Sequence, residues 1–352
     1  MSAFGQKPTG TPVRIDDPNE VIKVNSRLVV VPTSVTDASG NPVPGLTSND
    51  FKINEEGRPQ TIENVSPGEK VPLEIALLFD VSASTDAMFR FEQDTAAKFL
   101  KDVMKVDDRA TIYSIGTKPH LIIGSANADQ AAASVIGLSA TKEATAFFDA
   151  VAEASDYLRK NAPERSRRVI IVISDGDDTA SESTLREFRL REQKIVAGTD
   201  PAYTKTGSIL LQAQQAAKVR ERSAVTKALQ DADTVFFSIN PGGSSYQLNT
   251  ISVFGQENMQ AFANDTGGSA FLPKFLPIDT KLSYDNATNT RRNNETLDGI
   301  FRQVASELRS QYLVQYYSDS EYPNGKFVKL NVAVPTHANV KIRARQGYYV
   351  KN

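Results

Sequence analysis

Ile75-Ala76-Leu77-Leu78-Phe79 runs directly into Asp80-Val81-Ser82-Ala83-Ser84. Five consecutive apolar residues bounded by polar ones predict a strand buried on both faces, the kind found in a parallel sheet. The chain leaves the carboxyl end of that strand through one carboxylate and two hydroxyls at alternate positions. In open α/β sheets this end is where ligands bind. Oxygen-only donors with a single carboxylate and small neighbours suit a hard divalent cation that keeps some of its waters, Mg²⁺ above all. Asp and Ser are also ordinary turn and helix-cap residues, so the string alone is not specific.

Two later segments make it specific. Arg168 to Ser174 (RVIIVIS) predicts a second doubly buried strand, and it too ends in a carboxylate at a turn, Asp175-Gly176. Between the two strands, Ala144-Thr145-Ala146 opens the amphipathic stretch Phe147 to Leu158, which puts Thr145 in a loop at a helix start. At these residues the sequence resembles the von Willebrand factor type A domain. The metal-ion-dependent adhesion site of that family combines Asp-x-Ser-x-Ser after the first strand, a Thr before a helix and an Asp after the fourth strand. Asp80, Ser82, Ser84, Thr145 and Asp175 match it in order and context.

The resemblance extends further. Thr145-Ala-Phe-Phe-Asp-Ala is similar to the family's Thr-Ala-Leu-Tyr-Asp-Ala, and Phe262-Ala-Asn-Asp-Thr-Gly-Gly-Ser-Ala-Phe to its late helix and Gly-Gly turn. Gln311-Tyr-Leu-Val-Gln-Tyr-Tyr, the terminal Arg343-Ala-Arg-Gln-Gly-Tyr-Tyr and the β-rich segment Val35 to Phe51 resemble the acidobacterial-type bacterial subgroup of such proteins. The resemblance implies a Mg²⁺ site, with Mn²⁺ or Ca²⁺ as alternatives, that captures a Glu or Asp side chain of a protein partner. It also implies that direct ligation by the Thr accompanies the ligand-bound state, with the C-terminal helix shifting. The alternatives are a metal-dependent hydrolase or ATPase-associated subunit, and a structural envelope scaffold with a vestigial site.

Composition limits the remaining choices. The 352 residues carry 40 basic and 42 acidic side chains, a net charge of -2, so no global field favours nucleic acid or an anionic membrane. No apolar run reaches the length of about 18 residues that spans a bilayer. The chain has no Cys, which excludes disulfides and thiol chemistry. Neither of its two His, His120 and His337, belongs to a triad or zinc spacing, and no nucleophile elbow, Walker A loop or dinucleotide fingerprint occurs. Asp175-Gly-Asp-Asp fails the EF-hand pattern, because Ala180 and Arg186 replace its Gly and Glu. Asp177 and Asp178 are expected at a rim or helix start, and Arg165, Arg167 and Arg168 on a solvated edge. Residues 1–17 have no apolar core and do not read as a signal peptide. The resemblance implies an extracellular or periplasmic envelope location, and the sequence sets no oligomeric state.

Residues 1–20 read as a flexible tail. Residues 21–71 and 311–352 read as short strands and turns, each segment too poor in apolar residues to fold alone. The economical arrangement is one flanking β-sandwich built from both ends, with an α/β, doubly wound, mostly parallel Rossmann-like domain over 72–310 inserted between them. Its strands are expected at Glu74–Phe79, Ala110–Ile115, Leu121–Ile123, Val169–Ile173, Thr234–Ile239 and Ala270–Leu272. Its last helix is marked by Leu297, Ile300, Phe301, Val304 and Leu308 on one face. Between Asp175 and Thr234 lies more chain than one crossover helix needs. Ser183–Lys194 and Ile209–Gln230 both read as helices, and about 185–211 as an insertion beside the metal-bearing face, either a plain surface elaboration or a wall for the ligand.

Overall fold

A computed structural model describes residues 27–82, 86–141, 143–199, 209–241, 250–276 and 283–350. The tail expected at 1–20 lies outside them. The chain opens with β1 (Arg27–Thr36), β2 (Lys52–Glu55), β3 (Arg58–Gln60) and β4 (Ile62–Pro67). It then alternates: β5 (Leu73–Asp80), α1 (Asp86–Val103), β6 (Arg109–Ile115), β7 (Pro119–Ala126), α2 (Ala128–Ile136), α3 (Phe147–Asn161) and β8 (Arg167–Ile173). There follow α4 (Glu182–Val196), α5 (Ile209–Asp231), β9 (Thr234–Ile239), α6 (Thr250–Thr266), β10 (Ala270–Phe271) and α7 (Ser283–Ser310). It closes with β11 (Tyr312–Ser318), β12 (Phe327–Ala333), β13 (Lys341–Ala344) and β14 (Gly347–Tyr349).

The central sheet has the order β10-β9-β8-β5-β6-β7, parallel throughout except for β7, which runs antiparallel to β6. The apolar runs at β5 and β8 are central because helices cover both faces. Ile75, Leu77 and Phe79 pack with Phe99 of α1 and Phe301 and Val304 of α7, whereas Ala76 and Leu78 pack with Phe148 of α3 and Phe262 of α6. Each such Leu, Ile or Phe contributes about 1.5–3 kcal/mol on burial, so these strands are the stable floor on which the loops rest. β7 is longer than Leu121–Ile123 and exposes Leu121 and Ile122, because an edge strand lacks cover on its outer side. The sequence reading has no counterpart to α2, although Asn127 and Gln130 form a capping box at its start.

Both chain ends enter each of two antiparallel sheets, β13-β1-β11-β4 and β14-β12-β2-β3. Their inner faces share one core that includes Val31, Ile53, Val314 and Val328. Glu55 is buried in that sandwich. It accepts from Ser318 Oγ at 2.7 Å, from Tyr348 OH at 3.1 Å and from Tyr316 OH, which supplies the donors that a buried carboxylate requires.

One expectation is corrected beneath the central sheet. Arg167 is not on a solvated edge but buried at the start of β8, where its Nη1 donates to Leu308 O at 2.6 Å and Gln311 Oε1 at 3.0 Å. The last carbonyls of α7 need donors, and a guanidinium at that point supplies them. Beside it, Asp108 accepts from Leu73 N and Lys105 N, both at 2.7 Å, and from Arg309. No helix of the described residues is long and apolar enough to cross a membrane.

Candidate metal centre

Asp80 ends β5 and Asp175 follows β8, so the parallel pairing of these neighbouring strands delivers both carboxylates to the same edge of the sheet. Asp80 Oδ1 accepts from Ser82 N at 3.0 Å, which turns the chain and brings Ser82 back over the strand end. Thr145 Oγ1 donates to Ser82 Oγ at 2.8 Å, joining the first loop to the one before α3. Both hydroxyl residues are buried. The structure thus gathers Asp80, Ser82, Thr145 and Asp175 in one place, while Ser84 lies outside the described residues.

Backbone hydrogen bonds hold these loops in register. Val81 N donates to Ile115 O at 3.1 Å, and Thr141 N to Val81 O at 2.6 Å. Ala146 N donates to Gly116 O at 2.7 Å, and Thr145 O accepts from Thr179 N and Ala180 N at 2.9 and 3.0 Å. Gly176 has φ +76°, and a Cβ there would stand 2.6 Å from Gly255 O in α6. Only Gly permits both that conformation and that approach, so α6 is seated directly against the Asp175 turn.

The electrostatics are those of negative charge held without compensation. Burial pushes the Asp80 carboxyl above its usual range, against the hydrogen bonds from Ser82 and Ser174, and Asp177 adds to the rise. Burial likewise raises Asp175, with Asp80 and Asp177 adding repulsion. Glu92 of α1 is pushed up to about 8 by burial and by Asp80, and its Oε1 has no hydrogen-bond partner. Among the described residues no Lys or Arg pairs with Asp80 or Asp175; the cation nearby, Lys218, pairs with Asp177 at 3.4 Å. Two carboxylates and facing hydroxyls are a donor set that fits a hard divalent cation. Among the described residues no three of His, Cys, Asp and Glu gather as ligands, so hydroxyl oxygens would have to complete the set.

Further residues outside the five-residue motif contribute, and the sequence reading singled out only Asp178 among them. Ser174 donates to Asp80 Oδ2 at 2.7 Å and accepts from Gly176 N at 3.0 Å, so one hydroxyl links both carboxylate turns. Asp178 is a helix-start carboxylate as expected, but for two helices. It accepts from Phe148 N of α3 at 3.2 Å, from Thr184 Oγ1 of α4 at 2.7 Å and from Ser181 Oγ. Asp149 of α3 reciprocates, accepting from Glu182 N at 2.6 Å and Ser183 Oγ at 2.7 Å. The signal for the contacts between the two loops is weak in sequence, because Phe148 and Asp178 lie 30 residues apart and Asp149 and Glu182 lie 33 apart.

Residues 75–177 match the family model described as von Willebrand factor type A domain. None of the curated proteins matches the chain in sequence. Among solved structures, a von Willebrand factor type A protein from Catenulispora acidiphila is 9% identical, with 88% of this chain and 75% of that chain covered and a TM-score of 0.42. The PilB minor pilin from Streptococcus sanguinis is 13% identical over 68% of this chain and 62% of that chain, TM-score 0.42. Proximal thread matrix protein 1 from the mussel byssus, in a form with a zinc-occupied MIDAS motif, is 11% identical over 72% of this chain, TM-score 0.40. The chain spans about half the length (50%) of that mussel protein. The family match runs from within β5 to the turn after β8, so this stretch of the chain carries a von Willebrand factor type A domain.

Proposed function

We propose that the chain is a binding module in which Asp80, Ser82, Ser84, Thr145 and Asp175 hold a divalent cation, Mg²⁺ with Mn²⁺ or Ca²⁺ as alternatives, that captures a carboxylate of a protein partner. The observation that carries this reading is a half-buried carboxylate, Asp80, beside the rim carboxylate Asp175, both raised by partial desolvation and neither with a cationic partner among the described residues, next to the Ser82–Thr145 hydroxyl contact. Neutral hydroxyls among the donors leave a bound cation net positive and attractive to an incoming Glu or Asp. An extracellular or envelope location follows from that role and from the family resemblance.

Only the folded chain assembles this site, so a cation at a hundred times its Kd should stabilise it by about 2.7 kcal/mol. Melting in Mg²⁺ or Mn²⁺ against chelator measures this. The rise should vanish in Asp80→Ala; a rise intact in that variant would place the cation elsewhere. Thr145→Ala should keep much of the cation-dependent rise yet lose most of the affinity for a carboxylate-bearing peptide. Equal loss of both properties in the two variants would leave Thr145 a plain ligand with no separate role toward the partner.

A further inference from the structure

Helix α4 is an added layer. It buries Thr184 and Ile195, packs against α5 and leaves Leu185 and Leu190 exposed at 41% and 48%. Between it, the outer face of α3 and the β6–β7 turn lies an open groove of about 1090 Å³. That exceeds the roughly 300–1,000 Å³ of small-molecule sites and gives room for several residues of extended peptide. The groove adjoins the metal centre, since Ala180, part of its wall, donates to Thr145 O at 3.0 Å. Leu185 and Leu190 face it, as do Lys118, Arg186 and Arg189.

These three cations form no ion pair among the described residues, although Arg186 is within electrostatic reach of Glu221. By contrast Arg220, on the neighbouring α5, pairs with Glu187 at 3.0 Å. The acidic side chains of the groove are partly committed. Asp149 caps α4, and Glu153 has the His120 ring in its field; Glu182 stands exposed on the first turn of α4. Unpaired guanidinium groups flanked by exposed Leu side chains complement an acidic and apolar chain.

We propose that the groove is a docking track for an extended acidic–apolar segment of the protein partner. One carboxylate of that segment reaches the centre at Thr145, and its flanking acidic side chains pair with Lys118, Arg186 and Arg189 while apolar ones cover Leu185 and Leu190. This rests on the carboxylate-capture reading above and adds the partner's local sequence character to it.

The test uses the full chain and labelled peptides with one central Glu, flanked by alternating Asp and Leu, Ser and Leu, or Lys and Leu, with anisotropy read in Mg²⁺ and in EDTA. In Mg²⁺ the Asp-flanked peptide should bind about tenfold more tightly than the Ser-flanked one, the scale of one or two good charge pairs. Arg186→Glu with Arg189→Glu, both exposed and remote from the core, should abolish that preference and leave Mg²⁺-dependent binding of the Ser-flanked peptide intact. Lys118→Glu, on a different element, should weaken the preference independently. Mg²⁺-dependent binding without a flank preference, or a preference that survives the charge reversals, overturns the docking track and leaves the metal reading standing. No Mg²⁺-dependent binding of any peptide overturns both.

Discussion

The two ends of the central sheet both hold carboxylates and treat them oppositely. At the amino ends of its strands, Asp108 sits against Arg309, and Glu307 accepts from Arg343 at 3.1 Å and Ser269 Oγ at 2.7 Å. At the carboxyl ends, desolvation raises Asp80 and Asp175, and the donors around them among the described residues are hydroxyls and amides. Paired ions lock one element to another, here α7 and the β-sandwich to the α/β sheet. Uncompensated ions store a charge deficit that an external cation removes. The lower end is therefore built to hold, and in the proposed binding role the upper end receives.

The same contrast bears on the helix shift that the family resemblance implies. A slide of α7 along its axis would break Arg167 to Leu308 O, Arg309 to Asp108 and Arg343 to Glu307 together. The last turn of α7 is thus an anchor, and any adjustment at Thr145 is confined to the upper loops unless all three contacts yield.

The largest expected effect is at the lower end. Asp108→Ala strips the acceptor from Leu73 N, Lys105 N and Arg309, and should cost about 3–5 kcal/mol in urea unfolding, as for a broken buried pair. A loss below about 1 kcal/mol would mean that the pair is as exposed as an ordinary surface bridge and would dissolve the contrast.

Next comes the pH response at the upper end, in chelator. Glu92 rises from an ordinary 4.5 to about 8 on folding, so the folded chain holds a proton that the unfolded chain releases. Its stabilising contribution is therefore fully present below about 4.5 and is lost as pH climbs towards 8, with a limiting slope of about 1.4 kcal/mol per pH unit. Glu92→Gln should flatten that slope and leave the variant more stable than the natural chain at the alkaline end. A slope unchanged by the substitution would assign the pH response to other groups.

The smallest expected change in stability has the opposite sign from the first. Asp80→Asn, in chelator, should be neutral or stabilising by about 1 kcal/mol, because it removes a half-buried charge and keeps an acceptor for Ser82 N. A cost equal to that of Asp108→Ala would show that Asp80 is a structural carboxylate and nothing more.

The sequence made the floor of this site legible and its walls much less so. Ile75–Phe79 and Val169–Ile173 are continuous apolar runs, and such runs have few other ways to be buried than as central strands. Their carboxylates, Asp80 and Asp175, follow at a fixed step, which is why four of the five expected donors can be placed together. Ser174 meets Asp80 across 94 residues and Asp178 meets Phe148 across 30, and no local pattern marks such partners. Arg167 looked like one of three basic residues on an edge because its acceptors, Leu308 O and Gln311, lie 141 and 144 residues away. The first half of α7 shows no apolar stripe, so only Leu297 to Leu308 announced a helix that starts at Ser283. The sandwich was legible only through what each end lacked, since neither set of strands could close a core without the other.

The most direct measurement is a calorimetric titration of Mn²⁺ into the chelator-stripped full chain, alongside Asp80→Asn and Ser82→Ala. The account predicts saturable binding at one site, competed by Mg²⁺, absent in Asp80→Asn and weakened in Ser82→Ala. An isotherm without binding in the natural chain, or one that Asp80→Asn leaves unchanged, would contradict it.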